Sequence, residues 1–338
     1  MAPRGWGFWT EAKLDILSAY LSAFAVAGSK KASGALVYID LFAGNTSNQR
    51  RDVERDIKGS SLRALESLPD YARIYLFELE RVAAELEADL RRLHPGRQFI
   101  VVPGDCNATL PAILAQLKSQ GVAWAPTFAF IDPYSSAALR WATIQRLADF
   151  KRDRKYKVEQ WLLFYGSDIP RVRGQNPTNA EALLRQTSGG DVWVPIAEGR
   201  ERGDLSAEEA RREYTNLLRW RLENTLGYRY THSFEVRNTS GSYLYDLVFA
   251  TDNDAGNKIM GDVYAAAAQR FEQMRVEAYE RRRADRTGQD TLFGPEAMSS
   301  ITAGAAEPYR ADPPSLPYGF DGDANDMRGL DDSMDEHS

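Results

Sequence analysis

The sequence predicts an α/β protein whose sheet is mostly parallel and is covered by helices on both faces. Between residues 35 and 165, short apolar runs of strand type alternate with amphipathic helical segments, the order that produces a doubly wound sheet. These apolar runs are nearly continuous, as expected of strands that are buried on both faces. The predicted fold is therefore Rossmann-like, with a C-terminal antiparallel hairpin formed by two later strands.

Apolar runs and turn residues locate each predicted element. The predicted strands are residues 35–42, 73–77, 98–102, 127–131 and 160–165, followed by the hairpin strands 228–236 and 243–250. The predicted helices are residues 10–28, a helix that begins at Gly59, and residues 79–93, 108–118, 139–150, 206–227 and 255–283. Ser206 and Glu209 have the spacing of a capping box, which marks the start of the helix over residues 206–227. The stretch 45–58 has almost no apolar residues and is predicted to be a loop.

Composition divides the chain into a body and a tail. We expect residues 1–286 to form one Rossmann-like domain with an N-terminal helix and a helical or loop insertion near 169–227. Residues 287–338 are rich in Gly, Pro and Asp, so we expect a disordered acidic tail. The formal net charge of the chain is −6, and residues 301–338 alone carry −7. The body is therefore close to neutral, and its charge is compatible with a nucleic-acid partner.

Several classes of protein are disfavoured by the composition. No apolar run approaches the ~20 residues that span a bilayer, and the first residues lack the apolar core of a signal peptide. The single cysteine, Cys106, cannot form an internal disulfide, which favours a reducing, cytoplasmic location. The three histidines are far apart and lack metal-ligand spacing, so no metal site is predicted.

Acidic residues follow three of the predicted strands. In open α/β sheets, ligands bind where the strands end. Asp40 lies near the end of the first strand and Gly44 follows it, where a glycine permits close approach of the backbone to a ligand. Glu78 ends the second strand, a position from which a carboxylate can bind both hydroxyls of a ribose. Asp105 follows the third strand; for each of these acids the alternative is a carboxylate that only caps the following helix.

The fourth strand ends at Asp132-Pro133-Tyr134. Proline fixes the backbone there, and Asp132 with the neighbouring carbonyl can accept hydrogen bonds from an amine. Tyr134 can stack on a planar base, the combination that base-modifying enzymes require. The alternative is an ordinary turn whose tyrosine packs on the sheet.

A basic run is a candidate for binding phosphates, and a solvated helix end is its alternative. Its candidate residues are Lys151, Arg152, Arg154, Lys155, Lys157, Arg171 and Arg173. Cys106 lacks a neighbouring histidine in the sequence and follows an acid that raises its pKa, so we interpret it as a small buried or cofactor-lining residue.

Several motifs together resemble the bacterial three-Cys-motif partner proteins (TcmP). They are Asp40-Leu41-Phe42-Ala43-Gly44, Gly59-Ser60-Ser61-Leu62-Arg63-Ala64-Leu65, Gly104-Asp105-Cys106-Asn107, Phe130-Ile131-Asp132-Pro133-Tyr134, Phe249-Ala250-Thr251 and Gly256-Asn257-Lys258-Ile259-Met260. The resemblance covers about residues 9–270. It implies a partner protein that carries a three-cysteine motif, and the family is similar to class I S-adenosylmethionine-dependent methyltransferases.

The resemblance also implies roles for individual residues. Binding of S-adenosylmethionine would involve Asp40, Phe42, Gly44, Glu78, Asp105, Cys106 and Asn107. Asp132, Pro133 and Tyr134 would bind the acceptor amine. Two departures from the wider group stand out: Gly44 is followed by Asn45-Thr46-Ser47 without a second glycine, and the fourth motif has one proline where two are usual. We therefore expect a methyltransferase that acts on an amine of nucleic acid, with a catalytically weakened interaction partner of a three-cysteine-motif protein as the alternative.

Overall fold

The computed structural model describes residues 6–32, 34–50, 55–151, 153–169, 177–287 and 309–320. The strands within these ranges are β1 Val37–Asp40, β2 Ser47–Gln49, β3 Asp56–Lys58, β4 Arg73–Glu78, β5 Ile100–Pro103, β6 Thr127–Ile131, β7 Glu159–Phe164, β8 Tyr230–Arg237 and β9 Tyr243–Thr251. The α-helices are α1 Phe8–Ala32, α2 Ser60–Glu66, α3 Glu80–Leu93, α4 Cys106–Ser119, α5 Trp141–Asp149, α6 Pro177–Ser188, α7 Val194–Arg202, α8 Ala207–Asn224 and α9 Asp254–Thr287.

Seven of these strands form one sheet in the order β5-β4-β1-β6-β7-β9-β8. The pairs β1–β4, β4–β5 and β6–β7 are parallel, whereas β9 is antiparallel to β7. Every residue of β1 and β6 is buried, as expected of parallel strands covered on both faces. The predicted fold class is confirmed: a Rossmann-like, mostly parallel α/β sheet with antiparallel C-terminal strands.

The described residues group into two compact units. The first unit lies within Met1–Gly104, Glu235–Leu244 and Lys258–Ala311, and the second within Asp105–Phe234, Tyr245–Asn257 and Asp312–Ser338. The predicted boundary of the body at residue 286 falls at the end of α9. The predicted insertion near 169–227 contains α6, α7 and α8, and its capping box is confirmed, since Ser206 Oγ accepts from the Glu209 N–H and Glu209 accepts from the Ser206 N–H.

Within the first unit, an aromatic cluster packs α1 against β1. Tyr20, Phe24, Tyr71 and Tyr38 form successive ring contacts with centroid distances between 5.9 and 6.2 Å. The Tyr71 hydroxyl also donates to the carbonyl of Leu21 at 3.0 Å. Aromatic side chains bury large apolar areas and gain further from edge-to-face and offset geometries, so this cluster stabilises α1 on the strand that ends at Asp40.

The stretch 45–58, predicted to be a loop, contains a short antiparallel hairpin. β2 and β3 pair in the register Ser47 with Lys58 and Gln49 with Asp56. Arg50 Nη1 contacts Glu11 of α1 at 2.5 Å, and Arg55 pairs with the same carboxylate. The loop prediction was wrong because it relied on apolar periodicity, whereas backbone pairing and ion pairs to α1 stabilise this hairpin.

Gly59 and Arg63 connect α2 to its neighbours in the first unit. The Gly59 N–H donates to the Thr46 carbonyl at 2.6 Å. Arg63 Nη1 donates to Asp15 Oδ1, to Ser18 Oγ and to the Leu14 carbonyl, all on α1, within 3.0 Å. α2 is thereby held between the segment that follows β1 and the outer helix α1.

One part of the predicted disordered tail is ordered. Residues 312–320 lie outside the helices and strands, turn at Tyr318 and Gly319, and contact α7 and α8, for example through a hydrogen bond of 3.0 Å from the Ser315 N–H to Asn216 Oδ1. For these residues the prediction of disorder was wrong, because it weighed composition alone and missed the contacts that Pro317, Tyr318 and Phe320 make. Residues 288–308 and 321–338 lie outside the described part of the chain.

Across the described segments, none of the helices combines the length and apolarity needed to cross a membrane.

The approach of Gly59 to the preceding backbone leads to a stability prediction. A Cβ at position 59 would lie 2.3 Å from the Asn45 carbonyl oxygen and 3.1 Å from that of Thr46. Gly59→Ala should therefore lower the free energy of unfolding by about 1–3 kcal/mol, since overpacking against backbone forces a shift. The measurement is the urea midpoint with its slope.

Gly96→Ala is the matched control, because a Cβ there meets no atom within 4 Å. This variant should stay within about 0.5 kcal/mol of the wild type. Equal midpoints for both variants would contradict the close approach at Gly59.

Candidate functional site

In the first unit, the end of β4 binds the loop that follows β1. Glu78 Oε2 accepts from the Gly44 N–H at 2.8 Å, and Oε1 accepts from the Leu79 N–H at 2.8 Å. Gly44 has φ +61°, a left-handed conformation that glycine adopts without strain. Both groups were predicted from the sequence as candidates for one cofactor site, and the structure brings them into direct contact.

The Glu78 carboxylate has the chemistry to bind a diol in addition to these amides. A carboxylate offers about four lone-pair positions, and the two backbone amides use two of them. The side chain is half-buried, so charge-assisted hydrogen bonds to it are stronger than they are in open solvent. These properties fit the ribose-binding role that the sequence suggested.

Asp40 lies deeper than a ligand-contacting residue does. Its side chain is 0% exposed. Its Oδ2 accepts from the Tyr38 hydroxyl at 3.1 Å, and its Oδ1 accepts from the Phe42 N–H at 3.3 Å. In this conformation Asp40 shapes the turn after β1 from within the core, while Phe42 and Gly44 remain partly exposed.

In the second unit, Asp105 caps α4 and Asn107 crosslinks three segments. Asp105 Oδ1 accepts from the Asn107 N–H at 2.9 Å and from Asn107 Nδ2 at 2.8 Å. Nδ2 also donates to the Ala138 carbonyl, whereas Oδ1 accepts from the Thr143 hydroxyl at 2.7 Å and from the Arg140 N–H at 3.1 Å. The amide of Asn107 thus uses its two donors and two acceptor positions within the protein. The geometry matches the helix-capping alternative for Asp105, which is itself exposed.

Cys106 begins α4 and is buried. Its position agrees with the interpretation of a small buried residue. The neighbouring Asp105 side chain accepts from the Asn107 N–H in the first turn of the same helix.

The Asp132-Pro133-Tyr134 turn at the end of β6 combines a buried and an exposed part. Asp132 is half-buried and Pro133 is buried, whereas the side chain of Tyr134 is 75% exposed. The Tyr134 ring therefore does not pack on the sheet, which was the alternative for this turn. An exposed aromatic ring beside a carboxylate suits the recognition of a flat, amine-bearing acceptor.

Tyr165 and Tyr245 support this turn, and the sequence prediction missed both. The Tyr165 hydroxyl donates to the Pro133 carbonyl at 3.1 Å, which occupies one of the two acceptor positions of that oxygen. The two tyrosine rings make an edge contact at 6.0 Å. Burial, followed by the charges of Asp132 and Asp168, raises the pKa of Tyr165, which keeps its hydroxyl protonated as a donor. The position of Tyr165 directly after β7, the strand next to β6, was the signal in the sequence that could have identified it.

The predicted phosphate-binding residues do not share one surface. Lys151 is 3% exposed and donates to the Ala125 carbonyl, so its assignment to a nucleic-acid surface was wrong. Lys157 contacts Asp252 at 3.2 Å and the Gly227 carbonyl at 2.7 Å. Arg154 and Lys155 are exposed. Arg152, Arg171 and Arg173 lie outside the described residues.

Neither a metal centre nor a known relative adds to this description. Over the described ranges, no three or more His, Cys, Asp or Glu side chains are arranged to hold a metal ion. Comparison of the chain with models of protein families finds no match, and comparison with curated proteins finds none either. The resemblance to three-Cys-motif partner proteins therefore stays a prediction.

The buried Lys151 makes the stability depend on pH. Burial lowers its pKa from 10.5 to about 7 despite the opposing charge of Glu159. Between these two values the unfolded chain binds a proton that the folded chain lacks, so the free energy of unfolding rises with pH. Above about pH 7, the free energy of unfolding of the wild type should therefore rise relative to that of Lys151→Met, by up to about 1.4 kcal/mol per pH unit. Urea unfolding at several pH values measures this difference.

Lys155→Met is the control, because Lys155 lies in the same segment but is exposed. Its difference from the wild type should not change between about pH 7 and about pH 9. A pH-independent difference for Lys151→Met as well would show that Lys151 keeps its ordinary pKa.

Proposed function

We propose that the protein is an S-adenosylmethionine-dependent methyltransferase of the three-Cys-motif partner type, with an amine of nucleic acid as acceptor. The observation that carries the proposal is the pair of hydrogen bonds from the Gly44 and Leu79 amides to Glu78. A half-buried carboxylate at the end of one parallel strand thereby fixes the glycine loop of the adjacent strand. This is the general location of nucleotide sites in open α/β sheets.

Glu78 is the residue that fits the donor best. Its remaining acceptor positions can bind the two ribose hydroxyls, and the left-handed Gly44 leaves the adjacent backbone open, since its Cβ position has only the Phe42 carbonyl oxygen within 4 Å, at 3.9 Å. When bound, S-adenosylmethionine supplies an electrophilic methyl group. Asn107 fits a donor-binding role less well, because its amide already makes four hydrogen bonds.

Asp132 and Tyr134 are the residues that fit the acceptor. Asp132 can accept a hydrogen bond from an amine and so hold the nitrogen lone pair in a defined direction. Tyr134 can stack on the ring that carries the amine. Tyr165 holds the turn through its hydrogen bond to the Pro133 carbonyl. This contact restricts the side chains of Asp132 and Tyr134, so orientation of the acceptor would be the source of rate acceleration.

The nucleic-acid part of the proposal is supported by Tyr134 together with the exposed Arg154 and Lys155. A near-neutral body also allows a polyanion to approach. A three-cysteine-motif protein as partner is implied by the resemblance, and a cytoplasmic location by the single cysteine.

A second function, a catalytically weakened interaction partner of a three-cysteine-motif protein, is favoured by the segment after Gly44. That segment has no second glycine and continues into β2, and its Thr46 carbonyl already accepts from the Gly59 N–H at 2.6 Å. A scaffold can keep this arrangement without binding a methyl donor. Calorimetry with S-adenosylmethionine followed by a methyl-transfer assay separates the two functions, because only the enzyme both binds the donor and transfers its methyl group.

Removing the Glu78 carboxylate tests donor binding. Glu78→Ala should weaken S-adenosylmethionine binding at least tenfold, since charge-assisted hydrogen bonds are worth about 1.5–3 kcal/mol each. Isothermal titration calorimetry measures the dissociation constant. Glu80→Ala removes an exposed carboxylate two residues away and should bind like the wild type. Equal affinities for the folded Glu78→Ala variant and the wild type would sink the assignment.

Asp132 should affect turnover and leave donor binding intact. Asp132→Asn keeps the size of the side chain but makes it a poorer acceptor for an amine, so methyl transfer should fall about a hundredfold, which is ~2.7 kcal/mol of barrier. Donor affinity should stay within about threefold, under ~0.7 kcal/mol. The assay follows a labelled methyl group into total cellular RNA, DNA and protein.

The control for this experiment is Asp153→Asn, which changes an exposed aspartate of the same unit. A parallel loss of donor binding in Asp132→Asn would place Asp132 in the donor pocket. Donor binding by the wild type without methylation of any fraction would favour the interaction partner.

A further inference from the structure

The second unit contains a short peptide that lies outside the helices and strands and contacts two helices of the same unit. The peptide is Asp312-Pro313-Pro314-Ser315-Leu316-Pro317-Tyr318-Gly319-Phe320, which we call the C-terminal peptide. It contacts α7 and α8. Ile196 of α7 and Tyr214 of α8 belong to a buried apolar cluster that also includes Trp193. Tyr318 and Phe320 pack against this cluster. The contact surface between α7 and α8 is called the peptide groove below.

The groove contacts the backbone of the peptide at three places. Asn216 Nδ2 donates to the Ser315 carbonyl at 3.0 Å, and Asn216 Oδ1 accepts from the Ser315 N–H at 3.0 Å. Glu213 Oε2 accepts from the Tyr318 N–H at 3.1 Å. Arg219 donates to the Asp312 carbonyl. Hydrogen bonds to the main chain are one way in which many proteins bind short peptides.

Tyr318 provides the side-chain recognition. Its hydroxyl donates to Asp204 Oδ2 at 2.8 Å and accepts from Arg202 Nη2 at 3.3 Å. The hydrogen bonds from Tyr318 and Arg202 lower the pKa of Asp204. The Tyr318 ring lies over Gly199 of α7, where a Cβ would be only 2.4 Å from the ring. A glycine in the middle of a helix costs stability, and here it creates the space that the tyrosine occupies.

The residues around Tyr318 also match the shape of the groove. Pro317 is buried, and its carbonyl accepts from the Phe320 N–H at 3.2 Å, which closes a turn over residues 317–320. Gly319 has φ +81°, and a Cβ there would lie 2.5 Å from the Pro195 side chain. Backbone geometry therefore favours the residue types at Pro317 and Gly319. Side-chain contacts favour those at Tyr318 and Phe320.

We propose that the peptide groove is a binding site for peptides whose Pro-Tyr-Gly-Phe sequence forms a turn and that its resident occupant is the C-terminal peptide of the same chain. The contacts above involve only the groove and nine consecutive residues, so a free peptide of the same sequence can make all of them. Covalent attachment gives the chain's own peptide a high effective concentration, which excludes a free peptide from the wild type. This proposal goes beyond methyl transfer and does not depend on it.

The test uses the full-length chain with the groove vacated by a point substitution. Tyr318→Ala removes the ring and both hydroxyl contacts from the resident peptide. The probe is a fluorescein-labelled peptide of residues 309–320, and its binding is followed by fluorescence anisotropy. We expect saturable binding to the Tyr318→Ala chain and at least tenfold weaker binding to the wild type.

Two substitutions in the Tyr318→Ala chain test whether the probe occupies the groove. Adding Asn216→Ala should weaken probe binding at least tenfold, because both hydrogen bonds to Ser315 are lost. Adding Asn224→Ala should leave binding unchanged, since Asn224 is an exposed residue of the same helix whose side chain donates to the Trp220 carbonyl. Equal effects of the two substitutions would overturn the assignment of the groove.

Hydrogen exchange of the wild type tests occupancy without any substitution. The amides of Ser315 and Tyr318 should be protected, because both donate to side chains of α8. Exchange at the rates of a free peptide would overturn the proposal, as would equal probe binding by the wild type and Tyr318→Ala, or none by either. A wild-type dimer that Tyr318→Ala dissociates, seen by sedimentation, would make a second copy the occupant and overturn the assignment to the same chain.

Discussion

The candidate site depends on one interaction, the contact of the Glu78 carboxylate with the Gly44 amide at 2.8 Å. The contact joins the ends of two adjacent parallel strands and holds a loop whose glycine is left-handed. Asp40, buried beneath the loop, fixes its start through Phe42 and Tyr38. Because α1 packs on the strand that ends at Asp40, and α2 begins where Gly59 meets Thr46, the first unit is organised around the chain segment that follows β1.

In the second unit, the polar groups Asn107 and Tyr165 form hydrogen bonds within the protein. Asn107 links α4 to residues 138–143 with three hydrogen bonds, each worth about 0.5–1.5 kcal/mol net. Tyr165 supports the Asp132-Pro133-Tyr134 turn through a carbonyl. Tyr134 projects into solvent. A rigid base beneath an exposed aromatic ring is an arrangement suited to binding, and here it coexists with a groove that binds the C-terminal peptide.

The secondary structure was largely predictable, and its failures have physical causes. Continuous apolar runs identified β1, β4, β5, β6 and β7, because parallel strands buried on both faces are apolar throughout. The turn residues between β8 and β9 identified the other two sheet strands. The β2–β3 hairpin and the C-terminal peptide were missed because both are polar or proline-rich and are stabilised by specific partners. Glu11 binds the hairpin, and Asn216 and Glu213 bind the peptide. Composition carries no information about such partners.

Local sequence was sufficient to determine the strand ends, the capping box at Ser206 and the need for glycine at Gly44, since these depend on neighbouring residues and on backbone conformation. Only tertiary structure decided how each polar side chain is used. Glu78 binds a loop 34 residues away, Asn107 is saturated by residues 31 to 36 positions later, and Lys151 is buried against a carbonyl. Hydrogen-bond partners and burial arise when distant segments meet, and a carboxylate or lysine has the same local sequence signature in either environment.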